Sequence, residues 1–236
     1  PASVFDMSKK SSVHIGKHQI GRFRFLLFSL MMMIGLRPLL DEWIGAGIWA
    51  DILTDIFFAC ILMSGLLALS GQPRQLRVAL LLFTAIILLR VLDYMLEIQV
   101  LESLQLGLSA VFLIQLLFMI WIHIEKENEV TIDLIMAAAS AYILLGFVWA
   151  YAYYLLEIFH PHSFKASENM SDDIWNFYYY SFVTLNTVGY GDIVAITKSA
   201  RALSILEAIF GQLYLAIMIS RLVGLHASQA GIGKGK

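Results

Sequence analysis

The sequence predicts an all-α membrane protein with six transmembrane helices and one shorter re-entrant helix, and three features predict it. The composition is 59% hydrophobic and 14% charged with a mean hydropathy of +0.76, too apolar for an ordinary soluble domain. Six stretches stay apolar over the roughly 20 residues that a helix needs to cross the hydrocarbon layer. A seventh, shorter apolar segment sits in a loop of about 40 residues between the fifth and sixth stretches, much longer than helix connections usually are.

Taken in order, the stretches run roughly over residues 23–40, 47–69, 76–96, 101–124, 132–159 and 200–225. Helix-breaking or charged segments separate them: Pro38 with Asp41 and Glu42, Gly71-Gln72-Pro73, the segment 97–102 and the segment 125–129. This gives an amino-terminal segment 1–22, a four-helix unit 23–129, a second unit 130–226 built around the long loop, and a short tail 227–236. Orientation follows from the basic residues. With the amino terminus inside, eleven of the 16 basic residues fall on inner segments: Lys9, Lys10, Lys17, Arg22, Arg24, Arg74, Arg77, Lys126, Arg221, Lys234 and Lys236. The other five are Arg37, Arg90, Lys165, Lys198 and Arg201. The expectation is a multi-pass protein of the cell membrane with both termini in the cytoplasm and the long loop outside.

Several function classes fall away. A net charge of -2 offers no basic face for nucleic acid. The single cysteine, Cys60, cannot form an intrachain disulfide and reads as a small buried hydrophobe. No metal-ligand spacing, nucleophile or pair of acids has supporting context, so neither an enzyme nor a bound cofactor is expected. The first twenty residues are polar and basic, which speaks against a cleavable signal peptide.

The long loop carries the chemistry. Residues 173–184 read as a short helix with an acidic start at Asp173, its carboxyl end directing partial negative charge into the membrane's middle. The string Thr187-Val188-Gly189-Tyr190-Gly191-Asp192 follows. Gly189 and Gly191 can take the left-handed backbone conformation, so alternating right- and left-handed residues can aim successive carbonyls the same way.

From Phe177 through Gly224 the chain resembles the pore module of bacterial potassium channels. The filter string, Glu207-Ala208, the run 211–217 beginning Gly211-Gln212 and Arg221-Leu222-Val223-Gly224 carry the likeness. The string is the standard example of a carbonyl-lined potassium filter. The resemblance implies a homotetramer, because one chain carries one copy of the string and a ring of carbonyls needs four. It implies potassium ions as the permeant ligand at Thr187, Val188, Gly189 and Tyr190, with Gly191 completing the filter. Asp192 is expected to bond an aromatic of the preceding helix, and Tyr179 stands where many relatives carry tryptophan. Thr184 and Glu207 are expected to support the filter, the acid through a hydroxyl of the pore helix. Asn186 departs from the usual threonine, which bears on the cavity floor or on ion affinity. Gly211 is either a hinge or a close-packing glycine. Gln212, Leu215, Ile219 and Val223 share its face as cavity or gate lining.

The fourth span holds no lysine or arginine, whereas steep voltage dependence needs about 3 to 4 gating charges per subunit. Strong voltage gating is therefore not expected. Arg37, Asp51, Asp55, Arg90 and Asp93 lie within spans and are expected to form a network that orients the helices, ahead of any sensor role. The tail beyond Gly224 is too short for a ligand-binding domain, so any gating ligand is expected to act on the membrane part or through a partner chain. His160 and His162 stand in the outer loop, within reach of external protons. Two alternatives remain at this stage: a potassium transporter subunit, and a weakly conducting sensory or structural membrane subunit.

Overall fold

A computed structural model describes residues 22–44, 59–61, 63, 73–96, 98–166 and 174–233. The expected second span, with Asp51 and Asp55, lies largely outside the described residues, as does the acidic start at Asp173. The described elements run α1 (Arg22–Ile44), α2 (Pro73–Leu96), α3 (Gln99–Lys126), α4 (Ile132–Phe159), β1 (Phe164–Ala166), α5 (Ile174–Leu185), β2 (Ile193–Ala195) and α6 (Lys198–Gly233).

Four of the described helices are long and apolar enough to cross a membrane: Gln75–Asp93, Val100–Lys126, Ile132–Phe159 and Lys198–Gln229, each with a mean hydropathy of 1.9 or 2.1. Phe23–Leu36 is a shorter apolar helix. Sequence punctuation explains most of the boundaries. Helix α2 opens on Pro73, a position that needs no amide donor. Helix α4 opens on Thr131, whose side chain accepts from the Leu134 amide at 3.1 Å, with Asp133 in its first turn. Thr197 does the same for α6, accepting from the Ala200 amide at 3.2 Å.

Three boundaries differ from the sequence reading. Helix α1 continues through Pro38 to Ile44, because a membrane helix can absorb a proline when neighbours re-satisfy the freed carbonyl. The break between the third and fourth spans is shorter than the acidic run suggested. Glu102 lies inside the first turn of α3, where its charge suits the helix amino end and its carboxylate accepts from the Tyr154 hydroxyl at 3.0 Å. Helix α6 runs unbroken past Gly224 to Gly233.

Packing centres on α4, against which α1, α3, α5 and α6 all lie. Its buried face is rich in small residues, Ala137, Ala138, Ser140, Ala141, Gly146 and Ala150, which let neighbouring helices approach closely. Leu26, Leu30 and Met33 of α1 and Leu113, Leu116 and Ile120 of α3 fill the core around it. The outward residues of α2 and α6 are largely apolar, as a surface facing lipid or another chain allows.

Candidate functional site: the loop between α4 and α6

Helix α5 lies against α4 and α6 and buries Phe177, Tyr178, Tyr180, Ser181 and Leu185. Its aromatic run packs edge-on within the protein: Tyr180 meets Tyr153 at 5.1 Å and Phe164 at 5.2 Å, and Tyr178 meets Phe147 at 5.0 Å. The helix is thereby wedged between its flanking helices, and its carboxyl end fixes where the next six residues begin.

Those six residues alternate in backbone handedness. Thr187, Gly189 and Gly191 have φ of 55°, 58° and 81°, the left-handed region, while Val188 and Tyr190 between them do not. Backbone amides fold back on the helix end: Thr187 donates to the Thr184 carbonyl at 2.8 Å, and Val188 donates to the Val183 carbonyl at 2.9 Å. The side chains of Val188 and Tyr190 line a cavity of about 500 Å³ shared with Trp175, Tyr179 and Phe182 of α5 and with Ile34 and Pro38 of α1.

At the outer end, the Tyr179 hydroxyl donates to Asp192 Oδ2 at 2.5 Å, and Asp192 Oδ1 accepts from the Ile193 amide at 3.0 Å. The phenol bond holds the Asp192 carboxyl below its ordinary range. The same bond pushes the Tyr179 phenol up to about 12. Beyond Asp192 the chain enters a small antiparallel pair, β1 with β2, aligning Phe164 with Ala195, Lys165 with Val194 and Ala166 with Ile193. The sequence reading had no strands. Glu157, also unforeseen, anchors this region by accepting backbone amides from His162 at 2.7 Å, Ser163 at 3.0 Å and Phe164 at 3.2 Å. Three short amide contacts on one carboxylate form a clip that no motif announces. His160 caps α4 and is exposed, while His162 is exposed with a φ of 67°.

Behind α5, Glu207 of α6 is fully buried. Ser181 Oγ donates to Glu207 Oε1 at 2.5 Å, and the Tyr153 hydroxyl donates to Oε2 at 2.5 Å. One carboxylate therefore joins α4, α5 and α6. The α5 hydroxyl partner was anticipated from the cost of burying an acid, whereas Tyr153, distant in sequence, carried no signal.

Gly211 is buried against the end of α5: a Cβ there would collide with the Leu185 carbonyl and come within 2.9 Å of Leu185 Cδ1. Close approach requires a glycine here, and α6 passes it without a break. Gln212, Leu215, Ile219 and Val223 are all exposed on α6. Thr184 is half-buried in the last turn of α5. The Asn186 side chain turns back to the protein, donating to the Phe182 carbonyl at 2.8 Å and accepting from the Tyr142 hydroxyl at 3.1 Å. Of the charges expected within spans, Arg37 lies on α1, and Arg90 and Asp93 are half-buried on one face of α2.

A short helix and a loop of alternating backbone handedness thus stand between two long apolar helices. Residues 135–225, which take in nearly all of α4, the loop and most of α6, match the family model described as ion channel. No curated protein and no solved structure matched the chain.

Proposed function

We propose that the chain is a subunit of a potassium-selective channel, in which four copies surround one pore and potassium passes passively along the carbonyls of Thr187, Val188, Gly189 and Tyr190. The observation that carries this reading is the left-handed conformation at every second residue, Thr187, Gly189 and Gly191. That alternation turns successive carbonyls to one side, where they can replace an ion's hydration shell. Val188 and Tyr190 are exposed in the single chain, as a strand that closes a ring with three others requires. Asp192 and Tyr179 brace the outer mouth, and Glu207 with Ser181 and Tyr153 braces the helix behind it. Gln212, Leu215, Ile219 and Val223 line the cavity and gate. Both termini lie in the cytoplasm, and the absence of basic residues from the core of α3 makes voltage a weak stimulus.

The test is a reversal potential with the purified protein in a planar bilayer, potassium on one side and sodium on the other. The expected value lies far toward the potassium equilibrium potential, and Gly189→Ala abolishes the current. A reversal near zero overturns the assignment.

A further inference from the structure

Thr187 is β-branched yet sits at a φ of 55°, a conformation that glycine adopts freely and threonine does not. Such a conformation persists only where its surroundings over-determine it. On its outer side the string continues into Val188, fastened to Val183. On its inner side stands Asn186, and both ends of that side-chain amide are engaged: Nδ2 donates to the Phe182 carbonyl at 2.8 Å, and Oδ1 accepts from the Tyr142 hydroxyl at 3.1 Å.

Tyr142 is itself tightly framed. Its hydroxyl also lies 3.5 Å from the Leu185 carbonyl, the same carbonyl that a Cβ on Gly211 would strike. Its ring packs on Tyr214 of α6 with centroids 5.6 Å apart, and the Tyr214 hydroxyl donates to the Ala138 carbonyl, one turn before Tyr142, at 2.7 Å. Three helices thus converge on the residue that precedes the strained threonine. A threonine at 186 would present a single hydroxyl on a shorter side chain, unable both to donate to Phe182 and to reach Tyr142 as Asn186 does.

We infer that Tyr142 is a positioning residue for the filter: from α4 its hydroxyl holds the Asn186 amide, and through it the left-handed Thr187 that forms the innermost ion site. The inference rests on the potassium-channel reading. The asparagine at 186 and the tyrosine at 142 are a matched pair, and the pair sets how sharply the innermost site discriminates between ions.

The experiment compares wild type, Tyr142→Phe, Asn186→Thr and the double variant, each as full-length protein in planar bilayers, by single-channel recording with potassium and sodium on opposite sides. The permeability ratio is read per open channel, so a variant that merely assembles less well changes the number of openings and not the ratio. Each single variant lowers the potassium-to-sodium ratio by about fivefold, the size of one net hydrogen bond. The double variant falls no further than either single one, because both remove the same bond. Should Tyr142→Phe yield no channels, Asn186→Thr alone reads the same bond. A wild-type ratio in either single variant, or full addition in the double, overturns the inference. A wild type that reverses near zero instead overturns the potassium reading on which it rests.

Discussion

The hydroxyl of Tyr179 and the carboxylate of Asp192 titrate as partners, because the neutral phenol donates to the ionised acid at 2.5 Å. Asp192 has its folded value depressed, chiefly by that bond, from an ordinary value of 3.8. Its contribution to stability is therefore complete above the ordinary value and is lost as pH falls through the depressed one. Tyr179 is raised from 10.0 to about 12, so its contribution is complete below 10.0 and is lost as pH rises through the raised value. The expected outcome is an unfolding temperature in detergent that falls at both extremes, with Tyr179→Phe removing the phenol's alkaline step and weakening the acid one. Identical pH profiles for wild type and variant would count against the pair. This bond was legible in the sequence because Tyr179 stands where the resemblance places an aromatic partner for the acid, thirteen residues on. Gly189 and Gly191 were legible for a related reason, since their conformation selects their residue type. The left-handed backbone of Thr187 was not, nor were the contacts of Glu157, Tyr153 and Tyr142. Threonine does not advertise a left-handed backbone, Glu157 binds amides that every residue owns, and the two tyrosines meet partners dozens of positions away.

Helix α3 ends in the cluster His123 and Lys126, but the group that closes it comes from α6. Arg221 Nη2 donates to the carbonyls of Ile124 at 2.7 Å, Glu125 at 2.8 Å and Glu127 at 3.3 Å. These carbonyls lack donors within their own helix, and a cation at a helix carboxyl end gains from the dipole as well. Hydrogen bonds from a charged group are worth about 1.5–3 kcal/mol, so Arg221→Ala lowers the thermal midpoint in detergent, with Arg221→Lys between alanine and wild type. A midpoint unchanged in Arg221→Ala would show that the contact contributes nothing. At this scale hydropathy reads the apolar windows well, because membrane helices are apolar on nearly every face. It reads ends poorly. Pro38 passes inside α1, Glu102 falls inside α3, and strands of three residues leave no periodic trace. Arg221 was visible as an inward-side charge and as part of the motif 221–224, but not as a cap, its receiving helix end being nearly a hundred residues upstream.

The connection from α3 to α4 is short, running from the cap at Glu127 to the cap at Thr131. Five residues reach at most about 18 Å even when fully extended, so α3 must turn back beside the helix that follows it. The two pack against each other, α1 adds a second contact with α4, and Arg221 ties the carboxyl end of α3 to α6. In an assembly of several copies, this arrangement would set α1 and α3 against α4 of their own chain, with the end of α3 held by α6 of that chain. The prediction is read by cross-linking. In a Cys60→Ser background, Glu125→Cys and Arg221→Cys are treated with a short bis-maleimide in the membrane. The bridge is expected to form within one chain, leaving a product that migrates near 26.6 kDa under denaturing conditions. If the units were exchanged between neighbours, the same bridge would join chains and give a ladder of multiples. That ladder would also move the Arg221 contact to an intersubunit position, making α6 of one copy answer to α3 of the next.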